Sequence, residues 1–338
     1  MRKTFLDKKK FRSGGSHRLM ALPVLLCLMA LSGCGQKIEN KYDIEVGLMR
    51  MNSMNTSLTE TNSAKGFSEG LALPGETTFN ADDISAEAAL MVEFGKENPE
   101  AVAYKNPYVR TYQASITKVM SALVCLRHIQ DLQQEFTVTE NSDITIEGSS
   151  KAWIYPGETL TIEDLLYGML LPSGNDAAVA VAEATCGSVD AFVEEMNRTA
   201  IEIGATGTHF VNPHGLPDER HYTTPYDIYL TMNEAMKYEE FRKIVGTVKY
   251  SPHYKDRNGA PKTQDWSVTN RYMLGETATP DGLEVLGGKT GTTNAAGYCL
   301  TMDARKTATG EEYIATVMKA HTKDELYQNM TNMISKIR

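Results

Sequence analysis

The sequence predicts an α+β domain: an antiparallel sheet flanked by helices, with a helical lobe inserted between the strands that build it. Three observations carry this expectation. Short β-type apolar runs occur at 88–104, helical periodicity with clear start signals follows from 116 to beyond Pro225, and β-type runs return at 283–318 before one closing helix.

Each element has its own reason. Ala88 to Val92 and Ala101 to Tyr104 read as two strands joined by a polar turn containing Gly95, Asn98 and Pro99. From Ile116 to Gln130 the apolar residues Ile116, Val119, Met120, Leu123 and Leu126 fall at helical spacing. Thr161 to Asp164 is a capping box before Leu165, Leu166 and Met169. Pro172-Ser173-Gly174-Asn175 breaks the pattern, and Asp176 to Ala184, short and rich in Ala and Val, reads as a buried helix. Ser188 opens a helix to about Ile203 that Gly204 ends. Thr224-Pro225, with Asp227 three residues after the cap, starts another. Residues 244–302 read as β structure, in which Leu283 to Gly287 leads into Lys289-Thr290-Gly291 and a turn near Asn294 returns through Tyr298 to Met302. Tyr313 to Met318 is a further strand, and Thr322 to Glu325 caps a last helix carrying Leu326, Met330, Met333 and Ile337.

Composition limits the function classes. Over 338 residues, 41% are hydrophobic and 23% charged, ordinary for a folded protein. Seven Lys/Arg and one acid lie in residues 1–33, so the remainder carries 27 bases against 42 acids, a net −15. Such a body has no general affinity for phosphate backbones, so no nucleic-acid partner is expected.

The N-terminus reads as an address. A basic stretch to Arg18 precedes an apolar run, Leu19 to Leu31, of about 13 residues, short for a membrane span and suited to a signal-peptide core. It ends in Leu31-Ser32-Gly33-Cys34, which resembles the lipobox of bacterial lipoproteins. That resemblance implies removal of residues 1–33, lipidation of Cys34 and a protein outside the cytoplasm, anchored to the bacterial cell membrane. Residues 34–80, rich in Asn, Ser, Thr, Glu and Gly, read as a flexible tether whose roughly 45 residues reach about 35–40 Å, leaving 81–338 as the catalytic domain. Cys125, Cys186 and Cys299 are widely spaced with no C-x-x-C, so neither a disulfide framework nor a metal site is expected, and they read as buried apolar thiols. No cofactor is implied.

Three short motifs carry the chemistry. Ser115-Ile116-Thr117-Lys118 is the one S-x-x-K of the chain and places serine and lysine on one helix face. A serine hydroxyl needs a base, and a lysine serves once burial or a nearby cation keeps it neutral. Ser173-Gly174-Asn175 is an S-x-N between two helices, with a hydroxyl for proton relay and an amide for a substrate carbonyl. Lys289-Thr290-Gly291 on a strand supplies a fixed cation, and its glycine permits close approach of a substrate backbone. Each motif alone is a common accident. Their order and their structural contexts together are not.

The set and its flanks resemble the serine-type D-alanyl-D-alanine carboxypeptidases, the low-molecular-mass penicillin-binding proteins of peptidase family S11. The resemblance covers about residues 84–336 and includes Tyr112 to Met120, Leu165 to Glu183, Thr208 to Leu216, His221 to Thr224 and Gly287 to Leu300. It implies the DD-peptidase/β-lactamase-like fold. It implies Ser115 as acylated nucleophile, Lys118 as its base and Ser173 in a proton relay. Asn175, Lys289, Thr290, Gly291 and Thr292 would line the substrate site, Lys289 and Thr290 at its terminal carboxylate, with the backbone N–H groups of Ser115 and Thr292 as oxyanion hole. The implied substrates are peptidoglycan stem peptides, trimmed of the terminal D-alanine, and the implied covalent inhibitors are β-lactams. His209, His214 and His221 read as structural or cap residues. Gln113 departs from the family's usual proline, and the chain stops without the β-rich C-terminal domain and anchor helix of many relatives. The alternatives are a β-lactamase, for which Glu158 and Glu163 are poorly placed, a DD-endopeptidase, and a wall-binding sensor without turnover.

Overall fold

The computed structural model describes residues 71–80, 83–95 and 99–337, so the expected signal peptide, Cys34 and the tether as far as residue 70 lie outside the described residues. The strand β1 (Leu73–Asn80) is followed by β2 (Ala88–Phe94) and β3 (Glu100–Lys105). β2 explains how the body is layered. Its even-numbered residues Ala88, Leu90, Val92 and Phe94 enter one apolar core, and Ala89 and Met91 enter a second on the opposite face. A strand buried on both faces is read as a continuous apolar run, which is what the sequence shows.

A 3-10 turn (Ala114–Ile116) runs into helix α1 (Thr117–His128). The middle of the chain holds the short strands β4 (Glu135–Thr137) and β5 (Thr159–Thr161), then α2 (Ile162–Leu170), α3 (Asn175–Cys186), α4 (Val189–Glu202), α5 (Pro225–Ala235) and α6 (Glu239–Val245). Four short strands follow, β6 (Lys249–Tyr250), β7 (His253–Lys255), β8 (Pro261–Thr263) and β9 (Trp266–Ser267). The chain closes with β10 (Leu283–Thr293), β11 (Gly297–Lys306), β12 (Glu312–Ala320) and α7 (Lys323–Ile334).

The main sheet has the order β1-β3-β2-β12-β11-β10. Five of its strands pair antiparallel, as expected, and unite the two ends of the chain through β2 and β12. α7 packs on one face through Leu326, Met330 and Met333, while α1 and the helical lobe cover the other. The predicted caps are in place: Thr161 and Asp164 form a reciprocal capping box, and Ser188, Thr224 and Thr322 each accept a backbone N–H in the first turn of their helices.

Two features depart from the expectations. Residues 73–80, placed in the tether, form β1 and pair with β3 in parallel. Its ladder is a backbone interaction with a distant segment, which Pro74 and Gly75 gave no reason to anticipate. The region 244–302 begins at the end of α6 and contributes β7 and β8 to a separate four-stranded sheet with β4 and β5.

Candidate active site

Ser115 lies in the 3-10 turn, half-buried, one turn before Lys118 at the start of α1. The residue before it, Ala114, has φ +48°, a left-handed backbone that costs a non-glycine residue on the order of 1–3 kcal/mol. Two glycines make room for this turn. A Cβ on Gly215, itself at φ +94°, would come within 1.9 Å of the Ala114 carbonyl oxygen. A Cβ on Gly291 would come within 2.9 Å of the Gln113 carbonyl oxygen and 3.0 Å of the Ser115 nitrogen. The glycine of the K-T-G motif therefore admits the nucleophile's own turn against β10, whereas the sequence suggested room for a substrate backbone.

Lys118 is fully buried. Its Nζ lies 3.0 Å from Ser115 Oγ, 2.7 Å from Asn175 Oδ1 and 2.7 Å from the carbonyl oxygen of His214. Burial, and then the neighbouring Lys289, hold its pKa well below that of an ordinary lysine, with the carboxylate of Asp176 opposing. Asp176 itself is committed to the chain, accepting the backbone N–H groups of Ala152, Ala177 and Ile154.

The S-x-N segment turns sharply between α2 and α3, with Ser173 at φ +65°. Asn175 faces Lys118 with its oxygen and donates its amide to Ser149 Oγ at 2.8 Å. Lys289, on β10, is also buried; it donates to Ser173 Oγ at 2.9 Å and to the Thr290 carbonyl at 2.9 Å, and burial lowers its pKa to about 7. Thr290 Oγ1 shares a 2.5 Å hydrogen bond with Thr269 Oγ1, and Thr292 is exposed at the end of the same strand.

The fold thus brings Ser115, Lys118 and Asn175 into direct contact and joins Ser173 to Lys289. Three participants were not singled out by the sequence reading: the His214 carbonyl, Ser149 and Thr269. The first is a backbone atom, and the others lie 26 and 21 residues from their partners in loops without a motif. Of the histidines, His221 is buried with pKa lowered to about 4 and His214 is lowered to about 3, both by desolvation. Glu158 is bound to Lys262, and Glu163 to Lys243 and Gln133. Cys125 and Cys299 are buried, with thiols pushed up to about 12 by desolvation, while Cys186 is half-buried; all three are free. Among the described residues no group of His, Cys, Asp and Glu is arranged to hold a metal ion, and no helix is long and apolar enough to cross a membrane.

This fold is the fold of the DD-peptidases. The crystal structure of the Streptomyces K15 DD-transpeptidase matches with a TM-score of 0.69 at 28% identity, over 75% of this chain and 97% of that one. The family model for D-alanyl-D-alanine carboxypeptidases of peptidase family S11 matches residues 75–322, and the chain belongs to that family. Curated relatives include the D-alanyl-D-alanine carboxypeptidase DacF of Bacillus subtilis, 32% identical over 251 residues, covering 74% of this chain and 61% of the relative. The D-alanyl-D-alanine carboxypeptidase of Streptomyces sp. strain K15 is 32% identical over 219 residues, covering 62% and 72% respectively. DacC of Escherichia coli is 28% identical, and the match spans 56% of its length.

Proposed function

We propose that this protein is a penicillin-sensitive serine D-alanyl-D-alanine carboxypeptidase that removes the terminal D-alanine from peptidoglycan stem peptides through an acyl-enzyme on Ser115. One observation carries the reading: the fully buried Lys118 Nζ lies 3.0 Å from Ser115 Oγ, with Asn175 Oδ1 and the His214 carbonyl oxygen each 2.7 Å away. As a neutral amine it can donate its two N–H bonds to those two oxygens and keep its lone pair for the Ser115 hydroxyl proton. Burial and Lys289 favour that neutral form.

Ser115 Oγ attacks the carbonyl of the D-Ala–D-Ala bond as Lys118 takes its proton. The negative charge that develops is received by backbone N–H groups, those of Ser115 and Thr292 in this reading. Collapse breaks the peptide bond, and the leaving amine takes a proton passed from Lys118 with Ser173 as relay. D-alanine departs, and water then hydrolyses the ester. Lys289 and Thr290 hold the terminal carboxylate; the first is a cation in part at neutral pH and the second projects from the same strand. A β-lactam presents a similar carboxylate and acyl bond, so it leaves an ester on Ser115. Glu158 and Glu163 are tied up elsewhere, which disfavours a β-lactamase water base among them. Cleavage of the related bond in cross-links, the endopeptidase alternative, shares the acylation and hydrolysis of Ser115 and differs in the amine that leaves.

Residues 1–33 as signal peptide and Cys34 as lipidated anchor complete the proposal and put the enzyme outside the membrane, where its substrate lies. Intact-mass measurement of residues 71–338 after brief exposure to benzylpenicillin tests the site. A single-drug adduct that Ser115→Ala lacks, with D-alanine release from a peptide ending in D-Ala-D-Ala, is the expected result. An adduct of equal yield on Ser115→Ala overturns it.

A further inference from the structure

Gln113 stands immediately before the left-handed Ala114. Its side chain is fully buried. The carboxamide nitrogen lies 3.0 Å from His221 Nε2, and Oε1 finds no donor where it stands. The hydrogen bonds of the ring decide how these groups meet. The backbone N–H of Val211 donates to His221 Nδ1 at 3.0 Å, so the neutral ring carries its proton on Nε2. An Nε2–H facing an amide NH2 sets donor against donor. A half-turn of the carboxamide removes the conflict and turns Oε1 towards the Nε2–H, which Thr117 Oγ1 also accepts. His221 Nε2 also lies 2.8 Å from Thr117 Oγ1, whose hydroxyl donates to the Ala114 carbonyl at 2.8 Å. A continuous chain of contacts thus runs from Gln113 through His221 and Thr117 to the carbonyl of the strained residue that precedes the nucleophile. Gly215 also closes in on the same carbonyl.

We propose that Gln113 is a positioning residue, whose Oε1 shares the His221 Nε2–H with Thr117 Oγ1 and so holds the Ala114 turn that aims Ser115 at the acyl carbon. A hydrogen-bonded clamp thus restricts this turn without a covalent ring. The clamp serves the acylation read above and rests on that reading. It touches no substrate atom, so it acts on the rate of bond formation and leaves the prior binding of the acyl donor unaltered.

Two measurements test it. The first needs no variant: the 15N-edited spectrum of the histidine rings in residues 71–338, with His221 assigned through its loss in His221→Gln. A ring protonated on Nε2 with Nδ1 as acceptor is expected; an Nδ1–H ring overturns the clamp. The second follows acylation by benzylpenicillin under single-turnover conditions, resolved into a binding constant and a first-order acylation rate. Gln113→Met keeps the length and removes the hydrogen bond, and its acylation rate is expected to fall about 10- to 100-fold at unchanged binding constant, the scale of a displaced nucleophile. Gln113→Glu keeps an acceptor oxygen at the same reach and is expected to recover most of the rate. A folded Gln113→Met that acylates as fast as the native protein overturns the proposal, as does a loss that only follows the folded fraction or that Gln113→Glu does not recover. Absence of acylation in the native protein sinks the reading of Ser115 instead, while the ring spectrum still decides the clamp.

Discussion

A buried lysine is costly to keep charged, and Lys118 shows what that cost does here. Its neutral form is favoured first by burial and then by Lys289. The acylation rate is therefore expected to fall on acidification, as Lys118 takes up a proton and loses its lone pair. Removing Lys289 raises the Lys118 pKa, so Lys289→Met should move the acid limb of the penicillin acylation profile to higher pH. An unmoved or downward-shifted limb would show that Lys289 does not act on Lys118 through its charge. Replacing Lys118 by Met should abolish acylation while leaving Ser115 in place, since no other amine is within reach of its hydroxyl in the hydrogen bonds of this site.

At the scale of elements, the site depends on how closely the 3-10 turn rests on β10. Gly291→Ala puts a methyl group 2.9 Å from the Gln113 carbonyl and 3.1 Å from Ala114 Cβ, so turn and strand must separate. An acylation rate about 10- to 100-fold lower is expected, from displacement of Ser115 by a fraction of an ångström. An alanine variant as fast as the native protein would show that β10 yields instead. The caps act more locally. Thr161 accepts the Asp164 backbone N–H at 3.1 Å and donates to its carboxylate at 2.8 Å. Thr161→Ala should cost about 1 kcal/mol of stability, roughly 2–4 °C in melting temperature for a domain of this size, without changing the penicillin acylation rate.

For the molecule as a whole, the joint between the sheet and α6 contains an acid with a stability consequence. Asp303 on β11 is fully buried, neither carboxylate oxygen has a hydrogen-bond partner, and Arg242 of α6 stands 4.0 Å away. Desolvation and Glu312 raise its pKa to about 7, against the pull of Arg242 and Arg305. A carboxyl raised on folding is most compatible with the fold while protonated. Its penalty is absent below the unfolded pKa near 4, grows as pH rises, and is complete above about 7, where three units of displacement correspond to about 4 kcal/mol at most. Asp303→Asn should therefore raise the melting temperature at pH 8, and the gain should vanish towards pH 4. A constant difference across that range would assign the effect to packing rather than ionisation. The proposed anchor is tested at this scale too: a fatty-acid probe should label the full-length protein expressed in bacteria, and Cys34→Ala should lose the label.

Much of this was legible in the sequence because it is locally encoded. Helical periodicity, caps at Thr161, Ser188, Thr224 and Thr322, and the continuous apolar runs of β2 and β12 depend on neighbours in the chain, and they located the main elements. The S-x-x-K, S-x-N and K-T-G motifs announced the site because each sits at the start of a helix or along a strand, where spacing fixes direction. What only the tertiary structure decided were relations between distant segments. Nothing near Pro74 indicated that 73–80 would add a parallel strand beside β3, because a ladder depends on a partner's backbone rather than on the strand's own side chains. Nothing near Gln113 indicated a ring 108 residues away, and nothing near His214 indicated that its carbonyl, rather than its imidazole, faces Lys118. The sequence determined which residue types were available and on which elements. Chain packing decided which of them lose water together, and the loss of water is what lowers the Lys118 pKa.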